Sequence, residues 1–217
     1  MHLLLREMSK SEHYLEQLAD GLASQDYAII DNFLSMEEVS NILTVFEIHQ
    51  QHDRFKRAGI GKDDKYQRDE SIRGDYIKWI ERSSAMPPVL TFLDKIDELK
   101  DYLNRTCFLG IRDYETHFTI YPPGSFYKKH VDQFRTDGAR KISFICYLNP
   151  NWKPNDGGEL RIHHGHGHFD VEPIAGRLAC FRSEIVEHEV LKSYNHRYSL
   201  TGWMLNMPIG LEFVADM

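Results

Sequence analysis

The feature that most limits the fold is the punctuation of the second half of the chain. From Cys107 onward, short runs rich in β-branched and aromatic residues alternate with clusters of Gly, Pro, Asn and Asp at Pro122-Pro123-Gly124, Asn149–Gly158, Gly165–Gly167 and Ala175-Gly176. Runs such as Ile142–Leu148, Leu160–His163, Leu178–Phe181 and Tyr198–Leu205 are short, numerous and partly alternating, as strands are. Many short strands bury their apolar faces by closing into a double sheet. The pattern therefore predicts a β barrel or jelly roll, mainly β with helices packed outside.

The first half supplies the helices. Leu15, Leu18, Ala19 and Leu22 share one helical face over residues 10–24, with Ser9 or Ser11 as candidate caps. After the apolar run Tyr27–Ile30, Ser35 and Glu38 form a capping-box pattern ahead of Val39, Ile42, Leu43 and Phe46, predicting a helix to about His49. Residues 52–75 are dense in charge and lack apolar periodicity, so they read as a long exposed loop. Tyr76–Ile80 reads as a strand, and Pro87-Pro88 opens a helix carrying Leu90, Leu93, Ile96, Leu99 and Leu103. At 217 residues one domain is expected over 1–217. In it, 1–106 form mainly helical support with the 52–75 loop, and 107–207 the β core.

Composition narrows the partners. With 33 acidic against 26 basic side chains the formal charge is −7, which argues against wrapping a nucleic-acid backbone. Cys107, Cys146 and Cys180 are odd in number and lie in apolar runs, as reduced thiols would. The start, MHLLLREMSK, has too short an apolar stretch for a leader or a membrane span, so a cytoplasmic protein is expected.

The chemistry is carried by His130-Val131-Asp132. Residues two apart on a strand project to one face, so His130 and Asp132 can share one ion. His188 lies 56 residues after Asp132, behind the apolar strand LACF, and can add a third ligand. Two imidazoles and one carboxylate on one side of an octahedral ion leave three positions open, an arrangement suited to non-haem Fe(II). Nine residues further, Arg197 opens another strand. Its planar fork can hold the far carboxylate of a 2-oxoglutarate that chelates the metal, with dioxygen taking the last position.

These strings carry a family resemblance. From about Ile72 to Asn206, IRGDYIKWI, YPPGSFYKKHVD, ICYLNPNW, GGELRI, VEHEV and RYSLTGW resemble the prolyl 4-hydroxylase branch of the 2-oxoglutarate and Fe(II) oxygenases. Within it they are most similar to the oxygen-sensing prolyl hydroxylases and their bacterial relatives. The resemblance implies a double-stranded β-helix (jelly-roll, cupin-like) core with His130, Asp132 and His188 as iron ligands and Arg197 as the salt-bridge partner of 2-oxoglutarate. It also implies that Tyr147 donates to the same carboxylate and that Tyr121 lies near the metal-bound end of the co-substrate. Tyr127, Leu160 and Trp203 would line the pocket, and Ser143 would stand where relatives often carry Thr. Arg73 and Asp75 would close a mobile loop over the substrate, with Asp75 paired to Arg140, making 52–75 a lid.

By the same resemblance the reaction is hydroxylation of a prolyl residue in a protein loop, releasing succinate and carbon dioxide, with ascorbate as a candidate reductant. For a bacterial member it points to a translation factor such as elongation factor Tu. No nucleic-acid or membrane partner is expected. The alternatives are hydroxylation of a small molecule or free amino acid on the same iron site, a nucleic-acid demethylase of related fold, and a non-catalytic iron or oxygen-binding module. The run His163–His168 could take up zinc or nickel adventitiously, but its place between GGELRI and FDVEP reads as an exposed hairpin tip.

Overall fold

The computed structural model describes residues 10–59, 69, 71–133 and 138–207. Helices α1 (Lys10–Gln25), α2 (Met36–Gln51) and α3 (Pro87–Cys107) pack on one side of a seven-stranded sheet. Leu15, Leu18, Ala19 and Leu22 form the buried stripe of α1. At the start of α2 the Ser35 amide donates to Glu38 Oε2 at 2.7 Å and the Glu38 amide to Ser35 Oγ at 3.2 Å, the reciprocal cap expected from the sequence. Pro87 occupies the first turn of α3, where its missing N–H leaves nothing unsatisfied.

The large sheet contains β1 (Tyr27–Ile30), β2 (Lys56–Arg57), β3 (Tyr76–Trp79), β4 (Asp113–Tyr121), β6 (Arg140–Tyr147), β9 (Leu178–Arg182) and β11 (Arg197–Leu205), in the order β1-β9-β6-β11-β4-β3-β2. A small sheet faces it, made of β5 (Tyr127–His130), β10 (His188–Val190), β7 (Leu160–His164) and β8 (Gly167–Val171), in the order β5-β10-β7-β8. The strand pairs are antiparallel, and the two sheets make the double-stranded β-helix.

Alternation along the large sheet separates two interiors. Phe118, Ile120, Ile142, Phe144, Cys146, Leu178, Cys180, Leu200 and Met204 face the helices. Ile145, Tyr147, Ala179 and Phe181 face the small sheet, where they meet Leu160, Ile162, Val171 and Val186. Strands covered on both sides lose the apolar/polar alternation of a half-wet sheet, which is why ICYL and LACF read as continuous apolar runs. Cys146 and Cys180 are free thiols within the helix-facing core, and burial pushes both above the usual thiol range.

Two expectations change. The 52–75 segment is not exposed throughout: Lys56–Arg57 pairs with β3, Ala58 is buried, and Phe55 stacks on Phe46 at 5.6 Å, anchoring it to the helical core. Residues 60–68 and 70 of that segment, and the candidate cap Ser9, lie outside the described residues. In addition, β1 and β3 come from the N-terminal half yet join the sheet, so that half does more than pack outside it. The histidine run forms the end of the β7–β8 hairpin, as its glycines suggested. No helix among the described residues is long and apolar enough to cross a membrane.

Candidate active site

Between the sheets lies a cavity of about 300 Å³. Cross-strand register builds one wall, with Arg197 opposite Tyr121, Ser199 opposite Thr119, Thr201 opposite His117 and Trp203 opposite Glu115. The other wall comes from the small sheet, where His188 pairs directly with His130 on one side and Ile162 on the other. His130, Asp132 and His188 each offer a ligand atom within 4.8 Å of the others, and they are the only such group of three among the described residues.

The local chemistry prepares them for a cation. His130 Nε2 stands 3.4 Å from Asp132 Oδ1, and His188 Nε2 stands 3.7 Å from Asp132 Oδ2. Each imidazole has its Nδ1 against a main-chain carbonyl, that of Lys128 at 2.7 Å and that of Val186 at 3.1 Å. A carbonyl only accepts, so Nδ1 carries the proton and both Nε2 lone pairs are free to ligate. Burial lowers the His188 pKa to about 4, opposed by Asp132, and so keeps that ring neutral at physiological pH. Burial works against ionisation of Asp132, but the His188 and His130 imidazoles and the Ser143 hydroxyl hold its carboxyl well below the usual range. Two neutral nitrogens, one carboxylate and adjoining open volume suit a divalent iron with exchangeable positions better than a closed zinc site.

Arg197 is 1% exposed, and its Nε donates to Gly158 O at 2.8 Å. Its Nη2 and the Tyr147 hydroxyl are both buried without a hydrogen-bond partner among the described residues. The guanidinium carbon lies 4.9 Å from the Tyr121 ring and 5.0 Å from the Tyr147 ring. Burial raises the Tyr147 phenol to about 12 despite the adjacent Arg197, so it is a donor at neutral pH. A fixed cation and a neutral phenol, both unsatisfied, fit the terminal carboxylate of 2-oxoglutarate. Gly158, at φ +68°, leaves space for this: a Cβ there would lie 3.0 Å from Arg197 Cδ and 2.9 Å from Ser193 Oγ.

The other expected residues divide. Tyr121, Tyr127, Leu160, Trp203, Arg73, Asp75 and Arg140 border the cavity. Ser143 instead donates to Asp132 Oδ2 at 2.6 Å and meets Ser183 Oγ at 2.8 Å, which makes it an orienting group for the carboxylate. The expected Asp75–Arg140 pair does not form. Asp75 takes a two-point bond from Arg73, at 2.7 and 2.6 Å, because both leave the same extended segment on one side. Arg140 lies 3.7 Å over the Trp203 ring and bonds Glu115, the residue opposite Trp203 in the sheet, at 2.7 Å. The sequence reading missed Glu115, His117, Thr119, Thr201 and Trp79. The first three share the face of Tyr121 at steps of two, and Thr201 shares that of Arg197 and Trp203, so alternation alone would have found these four; Trp79 enters through its pairing with His117 across β3 and β4.

The profile of the 2OG-Fe(II) oxygenase superfamily matches residues 116–205. A prolyl-4-hydroxylase from Pseudomonas putida superposes with a TM-score of 0.81 at 36% identity, covering 89% of this chain and all of that one. A prolyl hydroxylase from Trichoplax adhaerens, solved with a hypoxia inducible factor oxygen degradation domain peptide fragment, gives a TM-score of 0.83 at 27% identity over 96% of this chain and 94% of that one. Egl nine homolog 1 of Mus musculus is 32% identical over 201 residues, 87% of this chain and 49% of that protein; this chain thus spans about half the length of such curated relatives. Given this identity across all of the solved Pseudomonas putida chain, the chain belongs to the prolyl 4-hydroxylase family of the 2-oxoglutarate and Fe(II) oxygenases.

Proposed function

We propose that the chain hydroxylates a prolyl residue of a protein substrate while 2-oxoglutarate is converted to succinate and carbon dioxide. The observation that carries this reading is the buried, unpartnered pair of Arg197 Nη2 and Tyr147 Oη beside the cavity that holds the triad. His130, Asp132 and His188 would hold Fe(II), and Arg197 with Tyr147 would hold the distal carboxylate of 2-oxoglutarate. Bound there, iron and 2-oxoglutarate would supply dioxygen activation, in which one oxygen atom would leave in succinate and the other be placed on the substrate carbon.

The chain's own work is positioning and exclusion. Ser143 fixes one oxygen of Asp132 and so sets the direction of the other. Leu160, Ile145 and Val190 give the cavity an apolar lining that limits water. At the open side, Trp79 meets His117 at 4.9 Å and Trp203 lies 5.4 Å from His117, a concave aromatic surface able to receive a pyrrolidine ring. The peptide bound by the Trichoplax adhaerens enzyme supports a protein segment as substrate. A translation factor such as elongation factor Tu is the first protein to assay, and we place the reaction in the cytoplasm, in keeping with the free cysteines.

The test is to incubate the purified chain with Fe(II), 2-oxoglutarate, ascorbate, isotopically labelled dioxygen and cell extract, and to map oxidised peptides by mass spectrometry. Label on a prolyl residue with matching succinate release is the expected result. Label confined to a small molecule would sink the reading.

A further inference from the structure

The two histidines of the triad are held in different ways. His188 is 4% exposed, on a strand flanked on both sides, with its ring 4.5 Å from Phe181 in the barrel interior. His130 has the most exposed side chain of the three ligands, 19% against 12% for Asp132 and 5% for His188. It ends β5, an edge strand whose register with β10 shifts just beyond His188. Core packing therefore holds this ring less firmly than that of His188, whose ring is its inner neighbour at 4.3 Å.

A stack stands in for the core. The Tyr127 ring lies 3.7 Å from the His130 ring at an interplanar angle of 22°, and the Arg73 guanidinium lies 4.3 Å from the centre of the same phenol ring. Arg73 is itself fixed, by its two-point bond to Asp75 and by donation from Nη1 to Gly59 O at 3.1 Å. The main chain repeats the link: Arg73 bridges to Tyr127, the Lys128 amide donates to Ile72 O at 2.9 Å, and the Gly74 amide donates to Phe126 O at 3.0 Å.

We propose that Tyr127 and Arg73 are positioning residues for the metal site, holding the His130 imidazole in its ligating orientation before the ion arrives. Flat stacking restricts rotation of the ring about its Cβ–Cγ bond. The bond from Nδ1 to Lys128 O selects the tautomer, and together they aim Nε2 toward Asp132. Metal affinity is thereby tied to segment 71–75 at the cavity mouth, and a protein partner that draws Arg73 off Tyr127 weakens the grip on the metal. The inference rests on reading His130, Asp132 and His188 as ligands.

Anaerobic Co(II) titration of the full-length metal-free chain, followed by visible absorption, tests both layers, with nitrogen-15 NMR of the imidazoles as a readout without metal. Groups that orient a ligand commonly contribute 10- to 100-fold to affinity, so Tyr127→Leu should weaken Co(II) binding by about 10-fold. Tyr127→Phe keeps the ring and should stay within about 2-fold of wild type. In metal-free wild type and Tyr127→Phe, His130 should show a single Nδ1–H tautomer, and in Tyr127→Leu an average. Should Tyr127→Leu not fold, Arg73→Lys retains the charge facing Asp75, loses the planar face, and should weaken binding in the same direction. Wild-type affinity together with a fixed His130 tautomer in the variants would overturn the stack. Unchanged Co(II) binding in His188→Ala would overturn the ligand reading beneath it.

Discussion

At the inner end of the cavity Arg197 is buried with no counter-charge among the described residues, whereas at the mouth Arg73 and Arg140 are each closed onto a carboxylate, Asp75 and Glu115. No ion pair to Arg197 is found among the described residues, and its Nη2, though packed beside the Tyr121 and Tyr147 rings, has no hydrogen-bond partner there. A desolvated, unpaired guanidinium destabilises a fold by several kcal/mol, whereas one closed onto a carboxylate recovers most of that cost. The protein completes its mouth internally and leaves its inner end incomplete. A fixed, buried positive charge with a donor to spare is what one carboxylate of a small dicarboxylate would pair with.

The sharpest way to break this contrast is Arg197→Met. Losing a buried two-point charge pair, worth about 3–5 kcal/mol when one partner is removed, should weaken 2-oxoglutarate binding by about 1,000-fold. The same substitution should leave the ligand-free protein as stable as wild type or more so in urea. A clear loss of ligand-free stability would mean that Arg197 is satisfied within the fold.

The mouth can be probed by charge at His117, which is 2% exposed and faces Asp75, Arg73 and Arg140. Burial lowers its pKa from 6.5 to about 4, so the unfolded chain binds the extra proton first as pH falls. Stability is fully present above about pH 6.5 and drains away as pH drops toward 4, by at most roughly 3 kcal/mol from this residue. His117→Gln should flatten that part of the acid titration of ligand-free protein. Parallel curves for wild type and variant would remove His117 from the account.

A smaller effect is expected from Gly158→Ala, which forces a Cβ against Arg197 Cδ at a left-handed φ. Displacing the guanidinium should cost about 10-fold in 2-oxoglutarate affinity, roughly 1.4 kcal/mol, measurable by calorimetry. The smallest is Glu115→Ala: it strips the partner of Arg140 at a half-wet rim, so stability should fall by about 1 kcal/mol with 2-oxoglutarate affinity within about 3-fold. If Glu115→Ala weakened 2-oxoglutarate as strongly as Arg197→Met, the division between inner end and mouth would be lost.

What could be read in advance follows the same division. The Ser35–Glu38 cap, the α1 stripe and the strands of the second half are local patterns, so the sequence states them directly. The His-x-Asp pair is also local, because period two fixes which residues share a face. Partner choice among charges is not local. Asp75 had two arginines within conceivable reach, and only the shared extended segment of Arg73 and the Glu115–Trp203 register decide which one it takes. The stack on His130 was equally hidden, because it needs the 71–75 segment docked beside β5. The charge-rich 52–75 segment misled for the opposite reason: two of its few apolar residues, Phe55 and Ala58, anchor it although its composition is that of solvent-facing chain.

The pairing of β10 with β5 has one more consequence. His188 and His130 are register partners, so a slip of β10 by one residue would turn His188 outward and bring Glu189 to its place. Only the correctly threaded sheet can offer two imidazoles to a single ion. With the triad as ligands, metal uptake would favour the one alignment of three short strands that backbone hydrogen bonds alone specify weakly.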